Sequence, residues 1–437
     1  MKRINNSAIV LSLFVGMMYT NAQERKLLSL DEAVQLGIQN SKSLKIDAAK
    51  IEEATADLLE AKNRQLPELK VSGSYMYLPI KPNIDLKLPG VSAAGGPEVH
   101  QVAYGSANLS VPIYSGGRIK YGIQSAKYLV EASKLSTEND KIAIAYNVAQ
   151  AYNNLFKANQ SIKVLEENLT ASQKRDETFL KLENNGVIAR NDRLKANLQT
   201  SNIELQLLEA KNNYNIANIN MDLLLGLPET TEIEVDQNYV DEFDDVKPVS
   251  FYLNEARENR KDLQALDQQR KAAELGTKSA KAENLPSIAF TGGYVAADIP
   301  KFLTIYNAVN VGVGISYNLS NLWKENSALK QSKAREMQLS ATNELLNDNI
   351  KLDVNREYQN SDYSKKRITV FEKAAVQANE NYRITKNKYD NGLATMTELL
   401  DADAAQIAAN VGVINAKADA ALAYRKLLQT TGTLTIK

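Results

Sequence analysis

The chain has 437 residues, with 52 basic and 52 acidic side chains, one histidine and no cysteine. These counts exclude disulfide frameworks, thiolate metal sites and cysteine nucleophiles, and they leave only His100 for histidine-based acid–base catalysis. A formal net charge of zero argues against a nucleic-acid partner, because such a partner requires a basic face. We therefore expect no enzyme, no metal and no cofactor.

Residues 1–22 have the pattern of a secretory signal peptide. Two basic residues precede an apolar core over residues 8–19, which is too short to span a bilayer. Thr20 and Ala22 are the small residues that precede a cleavage site before Gln23. Export also agrees with the absence of cysteine, since a free thiol is a liability in an oxidising compartment.

The rest of the chain repeats itself once. Residues 40–75 align with residues 259–294 at a shift of 219, and ten of the 36 aligned pairs are identical. From Leu109 onward the best shift is 206. Residues 23–227 and 250–437 are therefore predicted to be two copies of one unit, which is too long for a solenoid repeat.

Each copy is predicted to contain a helix, two strands, a very long helix, a tip turn and a second helix. The first helix runs from about Ser29 to Gln65 and stops before Pro67. The proline-free long helices have apolar and small residues at spacings of three and four, as in a coiled coil. The predicted ranges are strands at 67–78, 103–114, 286–297 and 308–320, long helices at 117–183 and 322–389, tip turns at 184–190 and 390–396, and second helices at 190–225 and 397–428.

The strands alternate between apolar and polar residues, most clearly over residues 309–319. Period-2 alternation over about 11 residues predicts a strand with one apolar and one polar face, and this length suits a tilted membrane strand. A strand of a soluble sandwich remains the alternative, although such strands are typically about 5–6 residues long. Residues 228–249 contain eight acids and one lysine between two prolines, which favours an acidic linker or small equatorial segment.

Four amphipathic strands are too few to close a membrane barrel, and an open sheet edge is not tolerated in lipid. A chain that contributes four strands must share its barrel with other copies. Two, three or four chains would give 8, 12 or 16 strands, and the long helices would close into a tube under the same symmetry. The geometry predicts a homo-oligomeric channel but leaves the number of copies open.

The whole mature chain resembles the TolC-type outer-membrane factors, which are the exit ducts of efflux pumps and type I secretion systems. The resemblance rests on the export signal, the duplicated unit, the order of its elements and two tip motifs 206 residues apart. It implies a mainly α fold with a transmembrane β part, in which a homotrimer forms a 12-stranded β-barrel continued by a long α-helical periplasmic tunnel. The motifs are Glu183-x-x-Gly186-Val187 with Asp192, Leu194 and Ala196, and Tyr389-x-x-Gly392-Leu393 with Glu398, Leu400, Asp401 and Ala402.

The resemblance also implies roles for the two tips. A periplasmic adaptor protein would contact the glycine turns, at Gly186 with Val187 and at Gly392 with Leu393. The acidic constriction of the family maps to Glu398 and Asp401, whose three copies would place six carboxylates around the pore and favour cations. From spacing alone, these two residues are instead ordinary acids facing a helix dipole.

Gating contacts between the tips are implied as well. Asp192 and Tyr389 match one linked pair of the family, and we expect a hydrogen bond between them. A second link in the family uses an arginine two residues after the tip glycine, where this chain has Ala394. Arg190, on the other tip, is the candidate replacement.

Three aromatic residues lie where strand meets helix, namely Trp323, Tyr317 and Tyr114. They are candidates for an aromatic belt at a membrane interface, with simple packing as the alternative. His100 lies in the proline- and glycine-rich segment 79–102, which we interpret as an extracellular loop without chemistry.

The sequence thus predicts the passive exit duct of a tripartite efflux pump, opened by a periplasmic adaptor and driven by an inner-membrane pump or ABC transporter. The outer-membrane component of a type I protein secretion system is the alternative. An exported coiled-coil structural protein is a more remote alternative that the alternating strands disfavour.

Overall fold

The computed structural model describes residues 25–80, 82, 99–240, 246–300 and 302–435. The predicted signal peptide, residues 1–22, lies outside the described residues, as does most of the predicted loop 79–102. None of the described helices is long and apolar enough to cross a membrane.

The first repeat begins with a short strand and two helices, followed by a hairpin and two long helices. The predicted helix over 29–65 is in fact two helices that meet at Ser41, whose ψ of 120° is not helical. The Ser41 hydroxyl accepts a hydrogen bond from the Leu44 N–H and so starts the second helix. The elements are β1 (Arg25–Leu28), α1 (Leu30–Asn40), α2 (Lys42–Asn63), β2 (Glu68–Tyr77), β3 (Gln101–Tyr114), α3 (Arg118–Asn184) and α4 (Arg190–Leu225).

The second repeat has the same order of elements, with its helix break at Arg260. Its last strand ends at Ser316, and a 3₁₀ helix at Leu319–Leu322 follows where the sequence predicted strand to residue 320. The elements from the acidic segment onward are β4 (Glu232–Val235), a 3₁₀ helix (Gln237–Val240), α5 (Val249–Asn259), α6 (Lys261–Ala282), β5 (Ser287–Ile299), β6 (Leu303–Ser316), α7 (Ser327–Asp390) and α8 (Met396–Thr431).

Four of the strands form one antiparallel sheet in the order β2-β3-β5-β6. Leu109 of β3 pairs with Leu69 of β2 and with Gly292 of β5, which pairs in turn with Val311 of β6. This register places most of the large aliphatic residues of the four strands on one face, and the serine, asparagine and threonine residues lie mainly on the other. Val311 is 76% exposed, so the described residues leave this part of the apolar face uncovered.

The acidic segment is partly ordered against the rest of the chain. β4 pairs in parallel with β1, and the pair packs over a core centred on Tyr152. The buried Tyr152 hydroxyl donates to the Leu28 carbonyl at 2.8 Å and accepts from the Asp236 N–H at 2.7 Å. Part of the predicted linker thus has a structural role in fastening the two ends of the first repeat together.

The long helices lie side by side in two rows. Near the sheet the packed order is α2-α3-α6-α7, and near the tips it is α4-α3-α8-α7. α3 lies in the interior of both rows. One edge is formed by α2 near the sheet and by α4 near the tips, and α7 forms the other edge of both rows.

Candidate functional site

The first tip turn is a tight helix terminus built around Gly186. The Gly186 N–H donates to the Glu183 carbonyl at 2.9 Å, and the Val187 N–H donates to the Leu182 carbonyl at 2.9 Å. This pair of bonds is a Schellman motif, which requires a left-handed residue, and Gly186 has φ of +72°. The motif turns the chain sharply and leaves Val187 67% exposed at the end of the hairpin.

The second tip repeats this backbone. The Gly392 N–H donates to the Tyr389 carbonyl at 2.9 Å, and the Leu393 N–H donates to the Lys388 carbonyl at 2.8 Å. Gly392 has φ of +74°, and Leu393 is 77% exposed. Each hairpin therefore presents one exposed aliphatic side chain next to its glycine.

The two tips differ in how the returning helix begins. α8 starts with a capping box, in which the Thr395 hydroxyl accepts from the Glu398 N–H while one Glu398 carboxylate oxygen accepts from the N–H and hydroxyl of Thr395. These hydrogen bonds, the backbone one first, lower the pKa of Glu398. Because its pKa is lowered, Glu398 is ionised at neutral pH. Asp401 lies exposed one turn further along the helix.

α4 starts after Ala189, which has no side chain that could cap the helix. Asp192, at the position equivalent to Glu398, instead forms an ion pair with Lys195 at 3.6 Å. Arg190 is the first residue of α4 and is exposed.

Tyr389 packs against the first tip. Its ring lies 5.8 Å from that of Phe179, and burial, followed by the charge of Asp192, raises the pKa of its hydroxyl. The structure therefore brings Asp192 and Tyr389 into electrostatic contact, and their hydrogen bond stays a prediction.

A buried polar network above the tips joins the two repeats, and sequence reasoning missed it. Arg175 of α3 donates to Asp403 of α8 at 2.7 Å, to the Tyr382 hydroxyl of α7 at 3.3 Å and to the Ser172 hydroxyl at 3.2 Å. The Arg175 and Asp403 side chains are 13% and 7% exposed. Partners 228 residues apart leave no periodic signal, although a charged residue on the small-residue face of α8 was a possible clue.

The aromatic residues of the predicted belt lie at the helical end of the sheet. Tyr114 ends β3, Tyr317 follows β6, and Trp323 follows the 3₁₀ helix. Their exposed fractions are 46%, 41% and 71%. All three are thus accessible to lipid or to another chain.

The sequence of both repeats matches a known protein family. The family model described as outer membrane efflux protein matches residues 33–227 and 252–433, one segment in each repeat. No curated protein sequence gives a significant match.

Solved outer-membrane channels share the fold. VceC from Vibrio cholerae superposes with a TM-score of 0.76 at 18% identity, over 92% of this chain and 96% of VceC. CmeC from Campylobacter jejuni gives 0.75 at 18% identity, over 93% of this chain and 86% of CmeC. The open-state MtrE channel from Neisseria gonorrhoeae gives 0.73 at 18% identity, over 93% and 89%.

The fold and the family match define a channel protein of the outer membrane rather than an enzyme. The chain belongs to the outer membrane efflux protein family.

Proposed function

We propose that this protein is the trimeric exit duct of a tripartite efflux pump, passive in itself, opened by a periplasmic adaptor and powered by an inner-membrane transporter. The observation that carries the proposal is that the two lateral edges of a single chain differ from each other and have no packing partner among the described residues. One side consists of β2, α2 and α4, and the other of β6 and α7.

Each side exposes the groups that a neighbouring copy would cover. β2 and β6 run in opposite directions, so that β6 of one copy can extend the antiparallel sheet through β2 of the next. Three copies of four strands give twelve, and closure removes every edge from the lipid.

The helices support the same arrangement. α4 carries a stripe of exposed aliphatic residues at helical spacing, and α7 carries exposed apolar residues on the opposite side of the chain. Unlike sides that meet head to tail form a ring when the rotation closes. The α4 stripe is Leu194, Leu198, Leu205, Leu208, Ile216, Ile219 and Leu223, and the exposed apolar residues of α7 are Met337, Leu345, Leu352, Tyr363, Val370 and Val376.

Replacing two residues of the α4 stripe tests the trimer. The double variant L205E/L208E places carboxylates where the neighbouring α7 would pack, and we expect it to lose the trimer and to restore drug sensitivity to a resistant host. The control E204Q changes an exposed residue of the same helix that is not part of the stripe. Native mass spectrometry in detergent reads the assembly, and a stable trimer in the L205E/L208E variant would refute the proposal.

The host phenotype identifies the cargo of the pump. In an efflux role, deletion of the gene sensitises cells to small toxic compounds. In the alternative protein-secretion role, deletion leaves drug susceptibility unchanged and abolishes the export of a polypeptide.

The tips are the proposed adaptor contacts. Val187 and Leu393 are exposed aliphatic residues held outward by rigid glycine turns at Gly186 and Gly392. The variant V187D/L393D should keep the trimer but lose export, because a charge replaces an apolar contact. Normal export by this variant would exclude docking at the tips.

The pore constriction is proposed at Glu398 and Asp401, the exposed acids of the second tip. Three copies would form a ring of six carboxylates that attracts cations. The variant E398A/D401A should lose cation preference in planar bilayers, and an unchanged reversal potential would place the constriction elsewhere. Asp192, Arg190 and Tyr389 are the proposed gating contacts around this ring.

A further inference from the structure

A pair of carboxyl groups lies within the helical part of the first repeat, far from both the tips and the sheet. Asp47 of α2 and Asp140 of α3 line one cavity of about 620 Å³. Asp47 is 4% exposed, and one of its oxygens, Oδ1, accepts from the Lys50 ammonium at 2.9 Å. The other oxygen, Oδ2, is buried and has no hydrogen-bond partner in the part of the chain that the structure describes.

The second repeat has leucine at both of the equivalent positions. Asp47 aligns with Leu266 at the shift of 219, and Asp140 aligns with Leu346 at the shift of 206. Leu266 is 8% exposed, and Leu346 is half-buried against an apolar cluster. Since apolar side chains fill this position in one repeat, packing alone does not require two carboxyl groups in the other.

Two basic side chains line the cavity together with the two carboxyl groups. Lys50 of α2 neutralises one carboxylate through Oδ1 of Asp47. Arg335 of α7 is the other charged side chain that lines the cavity, and α6 contributes the uncharged Gln269. Oδ2 of Asp47 is shielded from solvent, and the carboxyl group of Asp140 lies within hydrogen-bonding reach of the Asp47 carboxyl group.

We propose that Asp47 and Asp140 form a buried site for one proton. Asp140 takes the proton from solvent, becomes a neutral carboxylic acid and donates it in a hydrogen bond to Oδ2 of Asp47, whose Oδ1 accepts from Lys50. The bond satisfies the orphaned oxygen and removes the repulsion between two adjacent carboxylates. It ties α2, which leads into β2, to α3, which follows β3.

The pKa shifts of Asp140 and Lys50 agree with this assignment. Burial, and after it the charge of Asp47, raise the pKa of Asp140. The hydrogen bond to Asp47 raises the pKa of Lys50, so the ammonium remains charged. A carboxyl whose pKa is higher in the folded state binds its proton more tightly there. Its stabilisation is therefore greatest at acidic pH and is lost as pH rises from about 3.9, the ordinary value, through the folded pKa.

The variant D140N tests the site in the intact protein in detergent. The asparagine amide can donate to Oδ2 of Asp47 at every pH, so the variant carries a permanent copy of the protonated state. We expect the melting temperature of the wild type, relative to D140N, to fall by about 1–3 °C as pH rises from 4 to 8. D57N, which changes an exposed carboxylate of α2, the helix that carries Asp47, should show no such relative change.

A second variant and a spectrum keep the test decisive. The variant D47L/D140L carries the leucines of the second repeat and should also lose the pH-dependent change in melting temperature. It replaces D140N as the test if D140N fails to assemble. Infrared difference spectra should show a protonated carboxyl band that disappears on alkalinisation in the wild type and is absent from D140N.

Two results would overturn the proposal. A temperature difference between the wild type and D140N that is independent of pH would show that no proton is bound. A melting temperature that rises with Ca²⁺ or Na⁺ in the wild type but not in D140N would show that a metal cation, not a proton, holds the pair.

Discussion

The two tips have the same backbone but different chemistry at equivalent positions. Ala189 precedes α4 where Thr395 precedes α8, and Asp192 takes the place of Glu398. Because Thr395 supplies a cap, Glu398 is fixed to the start of its own helix, whereas Asp192 pairs with Lys195 and acts on Tyr389 of the other tip. The Thr395 hydroxyl thus ties Glu398 to the first turn of α8, whereas Asp192, which has no such cap partner, interacts with Lys195 and Tyr389.

The largest expected effect comes from removing the ion pair that joins α3 of the first repeat to α8 of the second. In D403A the Arg175 guanidinium would remain buried without its carboxylate, and loss of a buried partner costs about 3–5 kcal/mol. Chemical unfolding of the protein in detergent should show this loss. The apolar pair R175M/D403L should recover most of it, and no recovery would mean that Asp403 acts through some other contact.

A smaller effect is expected where the tips are alike. Each glycine is left-handed, and an added Cβ would meet no atom within 4 Å, so G186A and G392A should each cost about 1–2 kcal/mol from backbone strain alone. The same unfolding measurement on both variants checks the equality. A markedly higher cost at one tip would show that the two turns are not held equivalently in the assembled protein.

The smallest effect concerns the cap that separates the tips. T395A should lose about 1 kcal/mol, and A189T should gain a fraction of that by capping α4 through Asp192. The pKa of Glu398 is lowered in the folded state, so its contribution is complete above about 4.3 and is lost as pH falls through the folded pKa. The difference in melting temperature between the wild type and T395A should accordingly shrink in acid. A difference that stays constant would assign the effect to the Thr395 hydroxyl alone.

Sequence reasoning found the elements that depend on local pattern. The repeat, the alternating strands and the tip glycines follow from spacing, because period and left-handed backbone leave direct marks in the residues. The break at Ser41 was missed, since Ser41 and Leu44 form their cap inside an uninterrupted helical pattern. The bond from Arg175 to Asp403 was missed because it depends on which helices of the two rows become neighbours.

The unlike sides of the chain have a consequence for mass action. A single folded copy exposes two sheet edges and the apolar residues of α4 and α7, which are the surfaces that drive unwanted association. If three copies cover them, the balance between folded trimer and unfolded chains depends on the square of the total chain concentration, and dilution acts as a denaturant. Melting temperatures of this protein are comparable only at equal chain concentration.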